Sequence, residues 1–286
     1  MKEDEIRADG ERLAARGPLV TPYELAFGDA GFEETIFPRV LAEADARLED
    51  PARRDRFAFL SVAEEALREV VPADALPETV EEYRALFYHA FNFWRFGRRV
   101  YVVEPGTARY LVEAAPRMSG WDLILPHPAL YVQLPPRLFW ASIAIDVPPE
   151  PVDGFFVVRS EGTDPLGPGF SELHVLMVLG IRRDRAGFSV IPFDTETGPG
   201  IPAIWAEAAG REGAADFANI LPGGEMSGLY SILTNTEALK LVARVLWYAD
   251  ERLDETPAEI PAKRATEDGA ISLSRLPFHR LSLAEE

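Results

Sequence analysis

The arrangement with the most chemical capacity in this sequence is a histidine inside an otherwise apolar run. His174 interrupts Leu173 to Ile181, Glu172 precedes it by two positions, and Asp153 stands near the start of the preceding apolar run. An imidazole oriented by a carboxylate can act as a general base or ligate a metal, because the carboxylate fixes the tautomer and raises the ring's basicity. His174, Asp153 and Glu172 are therefore the candidate catalytic residues. The plainer alternative is a strand histidine satisfied by a backbone carbonyl, since one histidine without a second ligand specifies no reaction.

Two arginine islands could hold anions. Arg95, Arg98 and Arg99 flank Trp94 and Phe96, while Arg182, Arg183 and Arg185 crowd a short turn. Guanidinium groups beside aromatic rings can grip phosphates while the rings stack on a base or cofactor. Turn solubility and pairing with local acids account for them equally well. The islands gain meaning only where the fold brings them together.

The other histidines carry less. His127 lies between Pro126 and Pro128 in an extended segment that would suit either a binding loop or a structural crossover. His89, next to the polar side of its helix with Asn92, is expected at the surface, and His279 sits in the tail with little context. Leu221 to Gly228 is glycine-rich and could cradle an anion with backbone amides, yet it lacks a flanking lysine and reads as a loop. Walker A, Gly-x-Ser-x-Gly, His-Glu-x-x-His and Gly-x-Gly-x-x-Gly patterns are absent. Neither a metal site nor a cofactor is expected.

Composition narrows the classes. The 286 residues include no cysteine, which excludes disulfides, thiolate zinc sites and cysteine nucleophiles. The net charge is −18, and the excess of acids over bases is seven, five and six across residues 1–100, 101–200 and 201–286. An even spread describes a surface that repels nucleic acid and anionic membranes rather than one concentrated acidic patch. The charged start has no apolar leader, and no apolar stretch approaches the roughly 20 residues needed to cross a bilayer. A cytoplasmic location is the expectation.

The elements that must position these residues follow from periodicity. Apolar spacing of three and four predicts helices near 6–15, over 38–48 and from Pro51 to Val71, and most strongly over Pro77 to Phe96, with Gly97 as its stop. Alternation then predicts strands at 99–103 and 130–134 around a short helix at 105–115, with 137–145 ambiguous and strand favoured. Gly154 to Arg159, Glu172 to Arg182 and Gly187 to Phe193 read as antiparallel neighbours, Pro192 either ending the last or placing it at an edge. A helix near Pro202 to Gly210 precedes another from Thr236 to Leu253, which opens on a Thr234 and Glu237 capping pattern.

Together these predict an α+β fold, an N-terminal helical layer on a mainly antiparallel sheet with a C-terminal helix and an extended tail. One domain is expected over 1–253, with residues 1–97 helical and residues 98–253 forming the sheet and its covering helix, followed by a linker and tail over 254–286. Leu173 to Leu179 is apolar on both faces, so it must be an interior strand covered from both sides. The tail's alternating Ile271, Leu273, Leu281 and Leu283 would pair with a sheet edge, its own or a partner's.

Function is not readable from these residues. The first expectation is a non-catalytic interaction or adaptor protein of a prokaryotic cytoplasm, meeting another protein, the tail being one route. The alternative is an enzyme or ligand-binding protein for an anionic small molecule or nucleic acid, using His174 and nearby acids and arginines. A weaker third is an acidic nucleic-acid mimic.

Overall fold

A computed structural model describes residues 18–29, 31–47, 63, 66–69, 71, 74–113, 125–143, 147–162, 170–182, 187–197, 231–232, 235–252, 257–260 and 273–283. The helices expected near 6–15 and 202–210, most of 51–71, residues 183–186 of the short turn, the 221–228 loop and the Thr234 cap lie outside these residues.

Helix α1 (Pro22–Ala26) opens on a capping box in which Thr21 Oγ1 accepts from Glu24 N and the Glu24 carboxylate accepts from Thr21 N. A π-helical turn over Phe32–Ile36 runs directly into α2 (Phe37–Arg47). The long helix α3 (Pro77–Arg95) ends where Gly97 adopts φ 91°, a left-handed stop that suits a residue without Cβ. Strand β1 (Val100–Val103), helix α4 (Pro105–Glu113), and strands β2 (Ala129–Gln133) and β3 (Phe139–Ala141) follow. The meander β4 (Glu150–Gly162), β5 (Phe170–Arg182) and β6 (Gly187–Thr197) comes next, then β7 (Ser231–Ile232), helix α5 (Asn235–Glu251) and β8 (Phe278–Leu281).

The sheet runs β6-β5-β4-β2-β1-β8, with β3 joining β4 and β7 joining β3. The meander and the β2–β4 pair are antiparallel, whereas β1 is parallel to both β2 and β8. The expected α+β class and mainly antiparallel sheet hold. Pro192 does fall on the outermost strand, where a residue without an N–H is tolerated.

Both faces of β5 are covered, as its unbroken apolar pattern requires. One core joins Leu173, Val175, Met177 and Leu179 to Leu241, Val245 and Ala249 of α5 and Leu111 of α4. Arg244 of α5 binds the two helices of this layer by donating to Leu111 O at 2.9 Å, one of the last carbonyls of α4. The other core joins Leu176 and Val178 to α3 and, beyond it, to Tyr23, Phe27 and Phe37. Helix α3 is thus an inner layer: Phe87 and Phe91 meet Phe37 at 5.6 and 5.9 Å, while Phe93 meets Phe156 of β4 at 5.5 Å.

That position corrects the expectation for His89. The ring is fully buried because α3 is covered on more than one side, and its Nδ1 lies 2.7 Å from Ala85 O. A carbonyl only accepts, so the proton is on Nδ1. Asn92 turns back in the same way, donating to Tyr88 O at 2.9 Å.

The tail docks on its own sheet. Beyond the β8–β1 pairing, Glu259 exchanges two backbone hydrogen bonds with Phe278, at 2.7 and 3.0 Å. Leu273 bridges Leu19, Ser274 N donates to Pro18 O at 2.9 Å, and the Gln133 side-chain amide holds both backbone groups of Leu19. Leu276, Phe278 and Leu281 are buried by this arrangement.

Candidate functional site

His174 opposes Val158 on one side and Asp194 on the other, on the sheet face that α3 covers. It is 1% exposed, its Nε2 lies 2.9 Å from Ser160 Oγ, and Tyr88 packs edge-on against it at 5.2 Å. Asp153 is five residues earlier along β4 than Val158, roughly 16 Å away at about 3.3 Å per residue. The two residues therefore do not form a catalytic pair. Glu172 opposes Ser160 in the ladder, and its side chain, with Arg182, Arg183 and Arg185, lies outside the described residues.

Asp153 has a different partner. The Tyr131 hydroxyl donates to its Oδ2 at 2.6 Å, both groups being buried. Access depends on Gly154, next to the bulge between Val152 and Gly154: a Cβ there would overlap Val132 O and stand 2.9 Å from Tyr131 Oη. The glycine leaves room for the phenol to cross β4.

The first arginine island splits three ways. Arg95 is exposed, with its guanidinium 5.4 Å from the centroid of the Phe96 ring. Arg98, held at φ 54°, donates to Glu33 Oε1 at 2.7 Å, and the buried Tyr23 hydroxyl donates to the same oxygen at 2.6 Å. Burial and the Glu33 carboxylate push the Tyr23 phenol well above its ordinary range. Arg99 belongs to neither environment. Strand alternation places it with Tyr101 and Val103 on the α4–α5 face, opposite to the face that carries His174.

Around Arg99 the fold assembles a group that no local pattern announces. Tyr101 of β1 opposes His279 of β8, and their rings stack at 4.7 Å with 14° between planes. The His127 ring, in the segment leading into β2, lies 6.3 Å from Tyr101 and 6.2 Å from His279. Tyr101 is 1% exposed, and its hydroxyl has no hydrogen-bond partner among the described residues. Arg99 Nε is likewise enclosed without an acceptor among them. Burial raises the Tyr101 pKa to about 12 against the opposing effect of the Arg99 charge. Burial first, then Arg99 and His279, lowers that of His127. Near neutral pH the group presents a cation, a neutral phenol donor and a neutral His127 imidazole.

Sequence reasoning placed Arg99 among its anion candidates and His127 in a segment suited to a binding loop or a crossover, but it did not single out Tyr101 and gave His279 little context. His127 and His279 are separated by 152 positions, and only the parallel β8–β1–β2 order joins them. Among the described residues no three His, Asp or Glu side chains form a metal-binding group, and no helix is long and apolar enough to cross a membrane.

No protein-family model matches the chain, and no curated protein matches it. Among solved structures, the crystal structure of AcrVA2 is similar at a TM-score of 0.42 and 12% identity, over 91% of this chain and 81% of that one.

Proposed function

We propose that this chain is a non-catalytic binding protein of a prokaryotic cytoplasm that meets a protein partner through the face that carries Tyr110 and Leu283. The carrying observation is an exposed apolar pair. Leu283, just past β8, is 44% exposed and Tyr110 of α4 is 37% exposed. Leu283 Cδ1 comes within 3.6 Å of a Cβ built at Gly106, one helical turn before Tyr110. The patch is held in place from below: Tyr248 of α5 lies 6.3 Å from Tyr110 and donates its hydroxyl to Ser282 O at 2.8 Å. Apolar side chains held rigidly at the surface suit a protein interface. His174, enclosed and hydrogen-bonded to Ser160, favours binding over the catalytic alternative.

Deleting the tail would remove a strand, so point changes test the reading. The double variant Tyr110→Ser, Leu283→Asp should fold with unchanged circular dichroism and lose a partner that the parent chain captures from its host. Equal recovery by both proteins would overturn the assignment of this face.

A further inference from the structure

We propose that Arg99, Tyr101 and His127, with His279 stacked beneath Tyr101, form a binding site for a small oxyanion, a phosphoryl or carboxylate group. The site is separate from the Tyr110–Leu283 patch, so either assignment can fail without the other.

Four observations converge on this group. In a chain with 47 acids and 29 bases, half-buried Arg99 has no carboxylate partner among the described residues, although neighbouring Arg98 has Glu33. An enclosed guanidinium nitrogen without an acceptor is costly, and an anion would satisfy it. The buried Tyr101 hydroxyl is a second such donor, two residues along the same strand face. His127 supplies a third group, one able to gain a proton when negative charge arrives. Of the group, Arg99 and His127 are half-buried, with Pro126 half-buried and Pro128 exposed beside them, so that edge reaches the surface, whereas Tyr101 and His279 are buried.

Recognition would be electrostatic and donor-rich. The Arg99 fork binds two oxygens, Tyr101 donates to a third or shares one, and His127 adds a hydrogen bond. The stack on His279 fixes the Tyr101 ring in place.

Having only four histidines makes the test direct. Inorganic phosphate, acetate and chloride are titrated at matched ionic strength while the histidine Cε1–H resonances are recorded. Saturable movement of His127 and His279 is expected, with His89 and His174 on the opposite face as still references. Saturation by phosphate assigns a phosphoryl ligand and saturation by acetate alone a carboxylate. Arg99→Gln should weaken binding by about tenfold or more and Tyr101→Phe by roughly threefold. Should Arg99→Gln not fold, Arg99→Lys keeps the charge without the fork and should show a similar loss. No saturable movement, the same movement with chloride, or unchanged affinity in the arginine variants would overturn the site.

Discussion

Tyr101 and His279 stack face to face at 4.7 Å because β8 pairs parallel to β1 with these two residues in register. A residue from the tail thereby becomes the floor of a polar group built by β1 and the segment before β2. The relationship is tertiary, and it couples docking of the tail to the shape of the group.

The buried Tyr101 hydroxyl has no hydrogen-bond partner among the described residues, so removing it should not cost stability. Tyr101→Phe is expected to raise unfolding free energy by roughly 1 kcal/mol, a Tm increase of about 2 °C. Differential scanning calorimetry without added anion measures this. A clear Tm decrease would mean that the hydroxyl is satisfied in the native state.

His127 provides a pH dependence with a defined sign. Its folded-state pKa is lowered by burial, Arg99 and His279, so the unfolded chain binds the proton more readily. This contribution is neutral above the ordinary value of about 6.5 and destabilises as pH falls from there through the lower folded-state value. Groups facing the ring are Arg99, His279 and Tyr101, and the phenol stays neutral over this range. Urea unfolding between about pH 7.5 and 5 should show a shallower decline in His127→Gln than in the parent chain. Parallel profiles would remove His127 as a source of acid sensitivity.

Ser160 and His174 give a structural counterpart. Their 2.9 Å hydrogen bond is buried, so Ser160→Ala should cost about 1–2 kcal/mol in chemical unfolding. A double-mutant cycle with His174→Phe should return a coupling of about 1 kcal/mol, as expected for touching groups. A coupling near zero would mean that the bond contributes nothing in solution.

Local patterns made the architecture legible. The 3.6-residue spacing of α3 and the unbroken apolar run of β5 required a helix and a two-sided strand, and both are present. Burial of His89 escaped notice because one helical wheel does not reveal that α3 is an inner layer. The parallel partners of β1 were hidden for a related reason, since a four-residue strand carries no information about which distant strand lies beside it. Site residues divide in the same way. His174 drew attention because its neighbours in sequence are apolar, and it proves enclosed. Arg99, Tyr101, His127 and His279 come from three separate segments, so no spacing rule could unite them.

Gly154 tests how tightly β4 approaches β2. Any Cβ at this position would overlap Val132 O and press on the Tyr131 ring that reaches Asp153. Backbone cannot yield as a flexible side chain can, so Gly154→Ala should cost about 3 kcal/mol or more and lower the yield of folded protein. Tyr131→Phe removes the hydroxyl but leaves that overlap with the carbonyl, so the double variant should recover only a fraction of the loss. Full recovery would place the clash on the phenol alone.

The tail's docking is tested by two leucines two positions apart. Leu281 is fully buried in the core shared with α4 and α5, while Leu283 on the same side of the chain is 44% exposed. If β8 belongs to the folded sheet in solution, Leu281→Ala leaves a cavity and should cost about 2–5 kcal/mol. Leu283→Ala should cost less, about 1 kcal/mol or under, because nearly half of this residue is already in solvent. A tail that pairs only with a partner's sheet would instead leave both variants as stable as the parent chain. Urea unfolding of the two variants separates these outcomes, and it does so without knowledge of any partner.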